Sequence, residues 1–189
     1  MRIISGTARG RQLATFSGKD IRPTPDRVRE ALFSMLTHRL GTFSGINVLE
    51  LFAGTGAQSL EALSRGAESA VLVDSSNTAA KLIEENIRRC KFTSVARLIR
   101  SDALAALPCL LSSGPFDLVL LDPPYKQGYI VQALEKIESL QLLAEDGIIC
   151  VESAADEAIA EIAGLQLIEN RKYGSTMIHL YCLDDSFEG

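Results

Sequence analysis

The chain has no C-x-x-C pair, no long apolar run and no phosphate-loop lysine, and each absence narrows what it can be. Its four cysteines, Cys90, Cys109, Cys150 and Cys182, stand far apart, and the two histidines, His38 and His179, are isolated. Neither a zinc site nor a thiol redox pair finds its ligands at workable spacing, so no metal is expected. Reduced cysteines filling the core of a cytosolic protein are expected instead, with each histidine in a surface or core role. No apolar run approaches the roughly 20 residues of a membrane span. The first residues, MRIISGTARGRQL, alternate apolar and basic side chains without the apolar centre of a signal peptide. A soluble, cytoplasmic protein is expected. Repeats and low-complexity linkers are missing as well.

What is present is enough apolar side chain for one sizeable core: 189 residues, 47% hydrophobic. The net charge of −5 at first argues against a polyanion as partner. The charge is unevenly spread, however. Residues 1–39 carry eight Arg or Lys against three Asp or Glu, a net of +5, which leaves −10 on the remainder. Such asymmetry suggests a basic arm for a polyanion on an acidic body.

From Ile46 onward short apolar runs alternate with helical patterns, which predicts βα units and a parallel sheet. The expected strands are NVLELF (47–52), SAVLVD (69–74), VARLIRS (95–101), FDLVLLD (116–122) and GIICVES (147–153). They are nearly continuously apolar, as strands covered on both faces must be. Helices are expected over 57–65, 77–91, 103–111, 129–140 and 154–163, with Asn77 as an N-cap and Gly66 and Gly164 as stops. The last two runs, LQLIENRKYG and STMIHLYCL, leave no room for a crossover helix, so they predict an antiparallel hairpin on an otherwise parallel sheet. Before Ile46 a small hairpin (2–5 with 11–15) is expected. A helix opened by Pro25 and Asp26 follows, with Val28, Leu32, Met35 and Leu36 on its apolar face. The domain organisation expected is a basic hairpin and helix, 1–40, packed on a main domain, 41–189.

The first strand runs into AGTGAQSLEAL, where Gly54 and Gly56 permit a tight turn and the close approach of a ligand to the backbone. The second strand ends at Asp74, 20 residues beyond Gly54, where a carboxylate can accept from a ribose diol. Asp102 follows the third strand, again at the carboxyl edge. Glu50, Asp74 and Asp102 therefore stand at three successive strand ends. Ser59 occupies the place of the third glycine of a dinucleotide fingerprint, so an adenosine-containing cofactor without a pyrophosphate fits better than a dinucleotide.

The fourth strand delivers Asp122 to the same edge, and Pro123 and Pro124 then remove two backbone donors and fix φ, so the turn is stiff. An exocyclic amine on a nucleobase is a poor nucleophile because its lone pair is delocalised into the ring. A carboxylate and a fixed carbonyl, Asp122 and Pro123 C=O, can accept both its N–H bonds and aim the lone pair at an electrophilic methyl. Tyr125 supplies a face on which a flipped base can stack. The charge of Lys126 is left between a phosphate contact and a solvated surface.

These residues resemble the class I S-adenosylmethionine (SAM)-dependent methyltransferases, ELFAGTG (50–56) in their first motif and DPPY (122–125) in their amino-methylating motif. More narrowly, the chain resembles the bacterial 16S ribosomal RNA guanine-N2 methyltransferases of the RsmD family. That resemblance runs from MRIISGTARGRQL through RPTPDRVREALFSML, VLELFAGTGAQSLEALSRGA and LLDPPY to KYGST, and RPT-x-DRVREALF is its most specific part. It implies a Rossmann-like methyltransferase fold, with a seven-stranded, mostly parallel sheet and an antiparallel last strand. It implies that Glu50, Phe52 and the Ala53 to Gly56 loop hold the methionine part of SAM, that Asp74 with Ser75 holds the ribose and that Asp102 with Ala103 holds the adenine. It implies that Asp122, Pro123, Pro124 and Tyr125 hold the target guanine, of the 966 type, in 16S rRNA of a 30S subunit, and that S-adenosylhomocysteine is the product. The chain departs from the family at Glu50, where Asp is usual, and at Gln58, where an apolar residue is common.

The basic segment then gains a purpose: Arg9, Arg11, Arg22, Arg27 and Arg29 could contact phosphates flanking the target. Arg22 and Thr24 could equally line the pocket itself. DPPY serves an adenine N6 amine as well as a guanine N2, on DNA or RNA, and a non-catalytic ribosome-assembly factor is the alternative outside enzymes. Release-factor glutamine methyltransferases are a further relative, but they usually carry Asn where this chain has Asp122.

Overall fold

A computed structural model describes residues 1–16 and 26–184. Pro25, Arg22 and Thr24 lie outside the described residues. Helix α1 (Asp26–Leu40) precedes β1 (Asn47–Leu51), α2 (Ala57–Ser64), β2 (Ser69–Asp74), α3 (Asn77–Cys90) and β3 (Ala96–Arg100). A single turn, α4 (Ala103–Ala106), passes into a 3-10 turn (Leu107–Leu110). Then come β4 (Phe116–Leu121), α5 (Tyr129–Ser139), β5 (Leu143–Ala154), β6 (Leu165–Tyr173) and β7 (Thr176–Leu183).

The strands form one seven-stranded sheet in the order β3-β2-β1-β4-β5-β7-β6. The first five are parallel, and β7 lies antiparallel between β5 and β6. The predicted hairpin on a parallel sheet is present. The order reverses at β1 and β4, where the crossovers leave in opposite directions and a crevice opens at the carboxyl ends of the strands.

Alternation along each strand feeds two cores. Val48, Ala70, Leu72, Leu118, Leu120 and Cys150 pack with α1, α2 and α3 on one face. Leu49, Leu51, Val71, Val73, Val119 and Leu121 pack with α4 and α5 on the other. Each fully buried Leu or Phe in these layers contributes roughly 1.5–3 kcal/mol. The N-terminal segment and α1 belong to the first core through Ile3, Leu13, Leu32, Phe33 and Leu36.

Helix α2 is buried at every residue, because the N-terminal segment covers its outer side. Its polar residues do the fastening: Glu61 accepts the Ile4 and Ser5 amides at 2.7 and 3.0 Å, and Ser64 Oγ accepts the Ala8 amide at 2.9 Å. On α3, Asn86 accepts the Ala14 amide at 2.6 Å and donates to the carbonyls of Ala14 and Thr55 at 3.0 and 2.9 Å. The segment is thereby joined to the glycine turn.

Several expectations change. The N-cap of α3 is Ser76, whose Oγ accepts the Ala79 amide, rather than Asn77. Residues 154–163 are not helical. Ala154 pairs with Thr176, the Ala155 amide bonds Ser175 O, and the Glu157 carboxylate accepts the Ala154 and Lys126 amides, so tertiary partners take the groups a helix would use. The N-terminal hairpin is reduced to one antiparallel bridge, Arg2 to Gln12. Among the cysteines Cys90 and Cys150 are buried, but Cys109 is exposed.

Candidate active site at the carboxyl edge

After β1 the backbone turns at once: φ is +59° at Phe52, +56° at Gly54 and +72° at Gly56. A non-glycine residue in this region costs on the order of 1 kcal/mol. Phe52 is held there against the Tyr129 ring, with centroids 5.4 Å apart. At Gly56 a Cβ would stand 2.7 Å from Leu72 Cδ2, so only glycine lets α2 sit this close to the sheet. At Gly54 a Cβ would meet, among the described residues, nothing nearer than 4.0 Å, the Phe16 ring and the Phe52 carbonyl. Among the described residues the backbone there is uncrowded, as a site built to admit a ligand requires.

Asp74 is bonded into this turn. Its carboxylate accepts the Gly54 amide and the Ser76 amide, each at 2.8 Å, which leaves further lone pairs on the same oxygens. Ser75 is exposed beside it, and Ala53 is buried behind the turn. Asp102 caps the short α4 by accepting the Ala105 amide at 3.0 Å, with Ala103 buried beneath.

Glu50 is a carboxyl only 5% exposed. It accepts the Ser59 amide at 2.9 Å, which ties β1 to α2 beneath the turn. Burial pushes it up to about 7, against the lowering effect of the Ser59 hydrogen bonds, and the charge of Asp122 pushes the same way. Asp122, partly buried just beyond β4, is raised to about 6 by the loss of water around it. No described residue donates a hydrogen bond to Asp122. Pro123 is buried and Pro124 exposed, and Tyr125 is 40% exposed. Burial pushes the Tyr125 hydroxyl up and the nearby Thr176 side chain opposes that rise, which sets the KYGST hairpin beside the site.

Three further residues complete this edge and were not singled out from the sequence. Leu121 pairs with Val151, so Asp122 and Glu152 follow side by side. Glu152 is buried and accepts from Gln58 Nε2 at 2.7 Å, so the polar residue that departs from the family pattern has a partner in an acid. The signal for it was the acid in GIICVES, at a strand end next to Asp122. Glu157 holds the Lys126 amide at 3.0 Å, and the Lys126 ammonium pairs with Asp156 at 2.6 Å. Lys126 is thus part of the fastening of the DPPY turn, at a φ of +58°.

The residues expected at phosphates divide. Arg9 and Arg27 are exposed, and Arg11 donates to the Arg89 carbonyl. Arg29 is a correction: its guanidinium is 1% exposed, bonded to the Arg2 carbonyl and, at 3.0 Å, to Asp26. A phosphate cannot reach it there, and the burial of a charge without full pairing is what lowers its pKa. Arg22 and Thr24 lie outside the described residues.

This sheet order, with an antiparallel β7 between β5 and β6 and a glycine turn at the switch point, defines a class I methyltransferase. A family profile described as conserved hypothetical protein 95 matches residues 1–182. Bacillus subtilis YlbH is 37% identical over 184 residues, 96% of this chain and 98% of that protein. The ribosomal RNA small subunit methyltransferase D of Escherichia coli K12 is 32% identical over 182 residues, 96% of this chain and 89% of its own. The solved structure of Escherichia coli yhhF superposes with a TM-score of 0.83 at 30% identity, covering 97% of this chain and 98% of that one. The chain belongs to the conserved hypothetical protein 95 family, the RsmD family of methyltransferases.

Proposed function

We propose that this methyltransferase acts on the exocyclic N2 of a guanine in 16S rRNA, of the 966 type, with SAM as methyl donor. The observation that carries the reading is the Asp122 to Tyr125 turn: a carboxylate and a proline carbonyl that accept from no described residue, and a half-exposed ring, all beside the glycine turn. The named activity of the Escherichia coli relative supports rRNA as the substrate.

The residues at the edge fit SAM. Glu50, Phe52 and the Ala53–Gly56 turn would hold its methionine part, Asp74 with Ser75 its ribose, and Asp102 with Ala103 its adenine. Bound there, SAM supplies an electrophilic methyl. Asp122 and the Pro123 carbonyl accept the two N–H bonds of the amine, which turns its lone pair outward and stabilises the positive charge that grows on nitrogen. Transfer of the methyl would break its bond to the SAM sulfur and release S-adenosylhomocysteine; one N–H proton must then leave the nitrogen, and Asp122, raised to about 6 by burial, would receive it. Tyr125 stacks on the base and offsets the cost of flipping it. The N-terminal segment and α1 would form a basic extension on the methyltransferase domain, and the substrate would be rRNA in an assembling or assembled 30S subunit, in the cytoplasm.

A radiolabelled-methyl assay on undermodified 30S particles and on protein-free 16S rRNA, with digestion to nucleosides, tests this reading. The expected product is N2-methylguanosine. N6-methyladenosine as the product, or no label in either substrate, would overturn it.

A further inference from the structure

In a chain of net charge −5, five cations gather at the end of the molecule opposite the carboxyl edge. The N-terminal segment lies along α3 and crosses its last turn. There the Arg11 guanidinium donates to the Arg89 carbonyl, and Arg89 NH1 donates to the Gln12 carbonyl at 3.2 Å. Two like charges are thereby held close together, Arg11 on the Arg89 backbone and Arg89 on the Gln12 backbone. Arg88 is the neighbour of Arg89 on the helix, Lys91 closes the helix, and Arg9 sits two residues before Arg11 in a tight turn anchored by the Gly10 amide on Ile3 O. Arg9, Arg88, Arg89 and Lys91 are exposed. Only Arg89 has an acidic partner among the described residues, Glu85 at 2.5 Å.

Part of this charge has a local use, since cations in a last helical turn complement the helix dipole. Lys91 goes beyond that. It caps α3 at φ +65° and ψ +35°, a conformation in which glycine is the favoured residue, and it carries an ammonium there instead. Like charges placed together oppose the compact state unless an anion meets them.

We propose that Arg9, Arg11, Arg88, Arg89 and Lys91 form one phosphate-binding face for the RNA strand that leads to the target base. The inference rests on the rRNA reading above and adds α3 to the basic arm foreseen from sequence. The segment links this face to the site: Gln12 is bonded to Arg89, Ala14 to Asn86, and Phe16 stands beside Gly54. Helix α3, 14 residues long, spans about 20 Å. At about 3.4 Å per stacked nucleotide, the face would meet phosphates on the order of six nucleotides from the flipped guanine.

The test uses the full chain and protein-free 16S rRNA, with affinity measured across 50–300 mM KCl. Arg88→Glu with Lys91→Glu should weaken binding about tenfold at 100 mM and reduce the salt slope by about 2, one per lost phosphate contact. SAM affinity should stay as in the wild type, with the urea midpoint lowered only slightly as two cations are lost from the end of α3. Arg9→Glu, on the N-terminal segment, should act in the same direction, while Lys136→Glu on α5, on the other face of the sheet, should not. Wild-type affinity and slope in the Arg88/Lys91 variant, or an equal loss per charge in Lys136→Glu, would overturn the proposal. Wild-type methylation of the same rRNA is measured in parallel, so that an inactive wild type refutes the rRNA reading and not this face alone.

Discussion

The Gly54 amide donates to the Asp74 carboxylate at 2.8 Å, so the turn after β1 and the acid after β2 are one unit. Asp74 also carries the Ser76 amide and so connects the turn to the cap of α3. Replacing it by alanine frees two amides and removes the proposed ribose acceptor. Hydrogen bonds to a charged group are worth about 1.5–3 kcal/mol, so SAM affinity should fall about 10- to 100-fold in Asp74→Ala. Calorimetric titration measures this, and an unchanged affinity would contradict the assignment.

Glu50 gives a pH dependence with a definite sign. Its folded value of about 7 lies above the ordinary 4.5, so the folded state holds the proton more tightly than the unfolded chain. The associated stability is complete below 4.5 and is lost as pH rises to about 7, on the order of 3 kcal/mol in all. Glu50→Gln should therefore gain stability relative to wild type between pH 5.5 and pH 8 in urea unfolding. A cationic ligand prefers the ionised acid, so SAM should bind wild type more tightly at pH 8 than at pH 6. A constant stability difference between the two proteins would show that Glu50 titrates normally.

Asn86 is buried, and its carboxamide satisfies Ala14 twice and Thr55 once. Asn86→Ala orphans three backbone groups, each worth roughly 1–3 kcal/mol when buried without a partner. A loss of about 3 kcal/mol or more in urea unfolding is expected. A loss below about 1 kcal/mol would mean that the N-terminal segment is held mainly by its apolar contacts.

Tyr125 separates ring from hydroxyl. Stacking on a base is worth about 1–3 kcal/mol, so Tyr125→Ala should lower kcat/KM for RNA about 10- to 100-fold with SAM affinity unchanged. Tyr125→Phe keeps the ring and gives up only the hydroxyl, so its loss should be much smaller. Equal losses in steady-state kinetics would assign the effect to the hydroxyl.

Much of this architecture was legible because the sheet is buried on both faces. Runs such as AVLV and LVLL, set between helical patterns, read as covered strands, and the residues that end them, Asp74 and Asp122, then fall on one edge. The misreadings come from partners that sequence does not reveal. The stretch AADEAIAEIA has the composition of a helix, yet Glu157 and Ala155 spend their hydrogen bonds on Lys126 and the β7 hairpin. Arg29 has the charge of a surface residue, but its place on α1 turns it toward the Arg2 carbonyl and Asp26. Gln58 looked like an intruder on an apolar helix until Glu152 appeared opposite it. Ser76 caps α3 in place of Asn77 because its hydroxyl is the group that reaches the Ala79 amide.

The most direct test of the central claim is Asp122→Ala, with SAM affinity and methyl transfer to undermodified 30S particles measured on the same preparation. Removing the acceptor proposed to orient the amine should leave SAM affinity within about twofold and reduce turnover by about 100-fold or more, as loss of one preorganised polar group in an active site does. Full turnover by Asp122→Ala would contradict the account.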